Sequence, residues 1–394
     1  MKLTAIREHT IPLHSKMRNA VISFRTMTAS LIVIETDVVD EAGPVLGLGY
    51  TAPGRYSQAG PLRDRLIPRV LEMDPADLVG DDGVFEPQRL WQRAQQDEKP
   101  GGRADRSVAL AALDLAAWDL AGKLLGRSVA RLLADRSGVG EPAAVPVYAA
   151  GGYYYGDDRD AHQRLRSELR GYVDAGYSIV KMKIGGAPLD DDRGRIEAAL
   201  DEIGGRAELA VDANAAFGLD TARRYGQLLA GYPIAWYEEP VRPLDLHALR
   251  ILVDEYDGPI ATGENLFSEE EVELLLRFGG LRPGHDMVQV DAGLAGGITG
   301  FGRVLKVAED IGWDISGFVP HGGHLANLAV ASGRRLGGAE AYPGLFRPIA
   351  GFGSATVRQG RVSPSTTPGL GVEGHPELLA AFQGAGEEGP SVQA

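Results

Sequence analysis

Eight short apolar segments recur in the second half of the chain, and each is followed by a stretch with helical periodicity. Short runs of this kind favour buried parallel strands, and their alternation with helices favours an α/β fold with a parallel sheet. Eight strand–helix repeats are typical of a (β/α)8 TIM barrel, whose functional residues lie at the C-terminal ends of the strands. The predicted strands are VPVYA (145–149), SIVKMK (178–183), LAVD (209–212), IAWYE (234–238), IATGE (260–264), MVQVD (287–291), ISGFVP (315–320) and GAEAY (338–342).

The first part of the chain follows a different pattern. A stretch rich in β-branched residues, 30–39, precedes Gly- and Pro-containing turns, and helical stretches come later, the clearest over 107–125 with Ser107 as a candidate cap. Strands followed by helices predict a small α+β domain over 1–130, with the barrel over 131–344. The Gly- and Pro-rich segment 345–394 is predicted to return to the first domain.

The composition excludes several classes of protein. With a formal charge of −14, the surface repels nucleic acids and anionic membranes. The chain has no cysteine, which excludes disulfides, zinc–thiolate sites and a cysteine nucleophile. Residues 1–20 lack the apolar core of a signal peptide, and the apolar stretch 108–125 is interrupted by Asp114, Asp119 and Lys123. We therefore expect a cytoplasmic protein. Because its overall charge is negative, an anionic substrate must be attracted by local positive charge or by a metal ion.

Polar side chains end six of the predicted strands at intervals of one β/α repeat. Because the C-terminal ends of parallel strands meet at one mouth of the barrel, we expect these groups to converge. Three carboxylates on three adjacent strands form the hard oxygen cluster that suits Mg²⁺, whereas three unneutralised acids would repel one another. The six residues are Lys183, Asp212, Glu238, Glu264, Asp291 and His321.

Lys181 and Lys183 lie two positions apart, so strand periodicity places both inside the barrel. Two interpretations fit this spacing equally well. The lysines could form structural salt bridges with neighbouring carboxylates, or a second ammonium and a metal could lower the pKa of one lysine so that it acts as a base. Beside three carboxylates, we favour the base. The motif PHGGH contains two histidines. His321 could form a dyad with Asp291, which ends the preceding predicted strand, so that the carboxylate orients the ring; His324 is the alternative active histidine.

Several motifs give the chain a resemblance to a known family. KMK, VDAN, WYEEP, TGEN and PHGGH resemble the mandelate racemase branch of the enolase superfamily, whose sites use a Lys or His base with Mg²⁺. Longer strings resemble D-tartrate dehydratases and related acid-sugar dehydratases. They are MRNAVISF, DEKPGG, VYAAGGYYYG, KMKIGGAP, ATGENLFS, HGGH and GGAEAYPGLF.

The resemblance implies a modified barrel closed by loops of an N-terminal α+β capping domain, near 17–27 and 51–60. It also implies roles for individual residues: Mg²⁺ ligands Asp212, Glu238 and Glu264; base Lys183; Lys181 as partner of the substrate carboxylate; His321 as general acid with Asp291 behind it; substrate contacts Asn19, Lys99, Tyr155, His324, Glu340 and Tyr342. Two features depart from the tartrate enzymes, namely Pro53 and the segment DAGLAGG (291–297), which is closer to the racemase pattern.

The expected reaction is dehydration of a hydroxy diacid or acid sugar, with D-tartrate to oxaloacetate as the specific prediction. Lys99 would receive the second carboxylate of the substrate. Two alternatives stay open: a racemase or epimerase that uses the same Lys and His, and a non-catalytic protein that binds acid sugars. We expect a small carboxylate as the only class of ligand partner, and a homo-oligomer.

Overall fold

The computed structural model describes residues 1–13, 15–41, 43–54, 56–155, 160–352, 356–388 and 391–393. The N-terminal part contains an antiparallel sheet whose central strand carries a run of buried aliphatic side chains. A strand near the C-terminus completes this sheet, so the end of the chain returns to its beginning. The strand order is Ser391–Gln393, Leu3–Leu13, Met27–Asp40 and Gly43–Tyr50.

One long buried helix, Ala104–Leu124, packs against this sheet. It begins three residues before the predicted cap Ser107, with the N–H of Arg106 bonded to the carbonyl of Arg103. Its Asp119 accepts hydrogen bonds from the backbone N–H groups of Leu48 (2.8 Å) and Leu370 (2.7 Å), which joins the helix to the strand Gly43–Tyr50 and to the C-terminal segment. Among the described residues, no helix is long and apolar enough to cross a membrane.

The second part of the chain is a curled parallel sheet surrounded by helices. Because the strands are parallel and adjacent, their C-terminal ends share one rim, which is where the polar residues of the sequence pattern lie. The parallel strands, in spatial order, are Met287–Val288, Ile260–Thr262, Ile234–Glu238, Glu208–Asp212, Ile179–Lys183, Val145–Ala150 and Ala339–Ala341; Arg361–Val362 pairs antiparallel with Val145–Ala150.

The predicted strand over 315–320 is wrong. Residues Ile315–Gly317 form a 3₁₀ turn, capped by the side chain of Asp314. Only Phe318 makes a parallel bridge to Val288, and Phe318 accepts from the N–H of Gly337 at 3.0 Å. The segment still connects the first and last strands of the sheet, so the barrel closes without a regular strand at this point.

Helices alternate with the barrel strands and shield the sheet from solvent. The α-helices before the first barrel strand are Ala59–Pro61, Ile67–Leu71, Pro87–Ala94, Ala104–Leu124 and Val129–Ser137. Those between the barrel strands are Ala161–Asp174, Leu189–Ile203, Leu219–Leu229, Leu246–Glu255, Glu269–Phe278, Gly297–Asp310 and Leu325–Arg334, and Pro376–Glu388 follows them. A π-helical segment spans Leu62–Leu66, and further 3₁₀ turns span Phe24–Thr26, Pro75–Leu78 and Val372–Gly374. A two-stranded ribbon of Met17–Arg18 and Tyr154–Tyr155 joins the N-terminal domain to the barrel rim.

Candidate active site

Three carboxylates from adjacent strands meet at the rim of the barrel. The strand register pairs Lys183 with Asp212 and Asp212 with Glu238, and Glu264 follows the next strand. One oxygen from each of Asp212, Glu238 and Glu264 lies within 4.8 Å of the others, and all three side chains are buried. The register therefore brings together the three residues that the sequence pattern suggested.

The protonation of this cluster reflects its crowding. Burial raises the pKa of Glu238 to about 8, and the charge of Asp212 acts in the same direction against the opposing charge of Lys181. Oε2 of Glu264 is buried and has no hydrogen-bond partner. Oxygen ligands of this number and charge fit Mg²⁺, and a divalent cation among them would offset their mutual repulsion.

The two lysines are held by carboxylates on neighbouring strands. Lys183 Nζ bonds to Oδ2 of Asp212, and Lys181 Nζ contacts Glu238 and lies 2.7 Å from Oε1 of Glu340. Lys181 is fully buried and does not line the cavity described below. The structure therefore does not bring its ammonium to the substrate position that the resemblance implies.

The pKa of Lys183 is raised, opposite to the expected direction. Burial lowers this pKa, and so does the neighbouring Lys181, as the sequence predicted, but the charge of Asp212 outweighs both. The same balance of burial against Glu238 and Glu340 raises the pKa of Lys181. In this arrangement, both lysines are protonated partners of carboxylates.

His321 lies across the rim and contacts several acidic groups. Its Nδ1 is 3.3 Å from Oδ2 of Asp291, and its Nε2 is 2.9 Å from the hydroxyl oxygen of Tyr342. Burial lowers the pKa of this ring, but Glu264, Glu340 and Asp291 together raise it to about 10. A charged imidazolium at neutral pH is a ring that can donate a proton to a ligand.

His324, the alternative histidine, has a structural position. Its Nδ1 accepts from the N–H of Ala326 and caps the helix Leu325–Arg334, while its Nε2 lies 3.0 Å from the carbonyl of Tyr50. Its ring stacks on that of Tyr50 with centroids 3.9 Å apart. Both ring nitrogens are engaged with backbone, so His324 is neither the general acid nor a substrate contact in this structure.

A cavity of about 220 Å³ opens between the rim and the capping loops. Lys183, Glu264, His321 and Tyr342 line it from the barrel. The expected loops, near 17–27 and 51–60, line the opposite side, with position 55 outside the described residues. The lining residues from these loops are Asn19, Ile22, Phe24, Met27, Ala52, Pro53, Gly54 and Tyr56.

Three of the residues predicted as substrate contacts lie at or beside this cavity. Asn19 and Tyr342 line it, and Glu340 sits beside it, bonded to Lys181 and to the N–H of Gly322 at 2.7 Å. The Oδ1 atom of Asn19 accepts from two backbone N–H groups of its own loop, which orients its amide.

Two other predicted contacts are not brought to the site. Lys99 is exposed and does not line the cavity. The hydroxyl of Tyr155 donates to the carboxylate of Glu168 at 3.0 Å, outside the cavity lining. Its neighbour Tyr153 takes the inner position, with its ring centroid 5.1 Å from Nζ of Lys183.

Two asparagines for which the sequence predicted no role also line the cavity. Asn214 bonds to Asp212 through its N–H and side chain, and Asn265 donates to Glu239 at 2.8 Å. Each follows a cluster carboxylate by one or two positions, in the motifs VDAN and TGEN. Their position directly after the strand ends was the signal that could have identified them.

Comparisons with known proteins match nearly the whole of this architecture. Residues 5–134 match the mandelate racemase/muconate lactonizing enzyme N-terminal domain, and residues 164–378, more than half of the chain, match the enolase C-terminal domain-like family.

Two curated relatives and one solved structure illustrate the similarity. Arabinonate dehydratase of Saccharolobus solfataricus is 29% identical over 59% of this chain, and the alignment spans 59% of that enzyme's length. D-galactarolactone cycloisomerase of Agrobacterium fabrum is 27% identical over 97% of this chain and 99% of its own length. The structure of L-talarate dehydratase from Polaromonas sp. JS666, complexed with Mg and L-glucarate, superimposes with a TM-score of 0.74 at 26% identity over 94% of both chains.

The C-terminal match spans the elements that carry the cluster, the lysines and the histidine–aspartate pair, and the N-terminal match spans the capping loops that line the cavity. The domain boundary at residue 130 remains a prediction, since the two matches leave 135–163 between them. From its capping domain to its barrel, the chain belongs to the mandelate racemase/muconate lactonizing enzyme family of the enolase superfamily.

Proposed function

We propose that the protein is a Mg²⁺-dependent dehydratase of hydroxy carboxylic acids, with acid sugars as the substrate class. The observation that carries this proposal is the shared cavity of Lys183 and His321 beside the cluster of Asp212, Glu238 and Glu264. A base, a protonated imidazole and a metal-binding cluster are the three parts that removal of water from a hydroxy acid requires.

In the proposed reaction, Lys183 takes the proton from the carbon next to the substrate carboxylate. When bound, Mg²⁺ would supply positive charge that stabilises that carboxylate as the proton leaves and lowers the pKa of the nearby Lys183. The electron pair of the broken C–H bond forms a C=C bond, and the hydroxyl group on the next carbon leaves.

His321 supplies the proton that turns the departing hydroxyl into water. Its raised pKa keeps the ring charged at neutral pH, and Asp291 at 3.3 Å orients it. The enol that remains takes up a proton and becomes a 2-keto acid. Tyr342, 2.9 Å from Nε2 of His321, sits where it can align the ring with the leaving group.

The relatives support the substrate class, and the resemblance supports a specific member of it. Arabinonate dehydratase acts on a sugar acid by its name, and the L-talarate dehydratase structure holds L-glucarate. The cavity of about 220 Å³ lies below the range of about 300–1,000 Å³ that is typical of drug-sized ligands, which favours a small acid. D-tartrate, converted to oxaloacetate, is therefore the first substrate to test.

The test is a screen of four- to six-carbon sugar acids and diacids, including all tartrate isomers, for Mg²⁺-dependent formation of a 2-keto acid. Activity that disappears after chelation and returns with Mg²⁺ is the expected result. Epimerised substrate without keto acid would establish the racemase alternative, which uses the same Lys183 and His321. Binding without either product would establish the non-catalytic alternative.

A further inference from the structure

Arg195 joins the ends of two neighbouring barrel strands from behind the cavity. It lies in the helix Leu189–Ile203, and its side chain is buried. Nη1 donates to the carbonyl of Lys183 and Nη2 to the carbonyl of Gly152, both at 2.7 Å. The N–H of Lys183 donates to the same Gly152 carbonyl at 3.2 Å. One guanidinium thus fixes the backbone of Lys183 relative to the segment after Val145–Ala150.

The backbone of Gly152 is also held through its N–H. Its N–H donates to Oε1 of Glu168 at 3.2 Å, and its φ of +59° is in the left-handed region that favours glycine. A Cβ at this position would lie 2.5 Å from Cβ of Met182. Tyr153 follows directly, so these constraints set where its ring lies over Nζ of Lys183.

The buried carboxylate of Asp192 holds the guanidinium group of Arg195 in place. Asp192 accepts from Nη1 at 3.1 Å and from the hydroxyls of Tyr154 (2.7 Å) and Tyr225 (2.9 Å). The N–H of Gly185 donates to it as well, at 2.6 Å. A planar guanidinium with a fixed counter-ion holds two carbonyls in one geometry, which an ammonium cannot do.

We propose that Arg195 is a positioning residue that keeps Lys183 and Tyr153 together at the cavity. The inference rests on the proposed function, in which Lys183 is the base. Arg195 does not line the cavity, so its loss should lower kcat more than it changes KM. A misplacement of about 1 Å at a reacting group can cost about 100-fold in rate.

The test compares Arg195→Lys with Arg282→Lys. Arg282 makes the same kind of contacts, to Asp286 (2.8 Å) and to the carbonyl of Gly258 (2.7 Å), but it lies before the strand Met287–Val288, at the end of the barrel away from the rim. Both substitutions keep the positive charge but replace the planar guanidinium, which can hold two carbonyls at once, by an ammonium. We expect kcat of Arg195→Lys to fall about 10- to 100-fold, with KM and the Kd for Mg²⁺ within about twofold of wild type. Arg282→Lys should keep kcat and lose only thermal stability.

A crystal structure of Arg195→Met gives a second readout that does not need a substrate. We expect the backbone of Gly152 and the ring of Tyr153 to move by about 1 Å relative to Lys183. Equal kcat values for the two lysine variants, or an unmoved Gly152–Tyr153 segment, would overturn the inference. If the wild-type protein turns over no acid, the proposed function fails, and the crystal structure alone decides the role of Arg195.

Discussion

Replacing His324 by Asn should remove a pH-dependent part of the stability while keeping the helix cap. The Nδ1 atom of His324 caps the N–H of Ala326, and the side-chain oxygen of Asn is among the preferred caps. Asn cannot reach the carbonyl of Tyr50, which His324 contacts at 3.0 Å, and it cannot stack on that ring. At pH 7.5, the variant should therefore be less stable, by about 1–2 kcal/mol.

The magnitude of the pH dependence follows from the buried imidazole. Burial lowers the pKa of His324 from 6.5 to about 4, so the unfolded chain binds this proton more readily than the folded protein. The stability that the neutral ring contributes is fully present above pH 6.5 and is lost as the pH falls towards 4. The loss is about 2 kcal/mol at pH 5 and about 3 kcal/mol at pH 4.

Urea unfolding at a series of pH values from 7.5 to 4 measures this effect, because other titrating groups contribute equally to both proteins. The stability gap between wild type and His324→Asn should close near pH 5 and reverse by pH 4. His375→Asn is the matched control. Burial lowers the pKa of His375 too, but its ring is only half-buried, so the stability difference between wild type and His375→Asn should change less with pH. Parallel curves for wild type and His324→Asn would refute a neutral, buried His324.

Three further predictions concern the site. Lys99→Ala should change kcat/KM for any acid by less than about twofold, because a solvated side chain outside the cavity contributes little; a tenfold loss in initial-rate assays would restore its predicted role as carboxylate receptor. Glu238→Gln should weaken Mg²⁺ binding in calorimetry by about tenfold or more and abolish turnover, since it removes one charge of the cluster; unchanged affinity would contradict the assignment. His321→Asn should stop dehydration but still exchange the α-proton of the substrate with D₂O, as followed by NMR, because Lys183 remains; equal loss of both would assign His321 to the first step.

The convergence of the cluster could be predicted from sequence because it depends on strand register. Asp212, Glu238 and Glu264 end predicted strands that are separated by one repeat each, and parallel strands align their ends. The same reasoning placed Lys183 and His321 at the rim, and the family match confirms the superfamily that the motifs indicated.

The remaining differences come from contacts that spacing does not encode. Whether Tyr153 or Tyr155 faces the cavity depends on the ribbon with Met17–Arg18, which forms between segments far apart in the chain. The structural position of His324 depends also on Tyr50 from the other domain, which contacts its Nε2 and stacks on its ring. The turn at Ile315–Gly317 replaces a predicted strand because Asp314 caps it locally, which the apolar pattern does not show.

Formation of a 2-keto acid by wild type and by Lys183→Ala, with Mg²⁺ binding measured in the same samples, separates the role of the proposed base from that of the metal-binding cluster. The acid is the best substrate found for the wild-type protein. We expect Lys183→Ala to bind Mg²⁺, because Asp212, Glu238 and Glu264 are intact, but to form no detectable keto acid. Keto-acid formation by Lys183→Ala at a rate close to that of wild type would show that Lys183 is not the base.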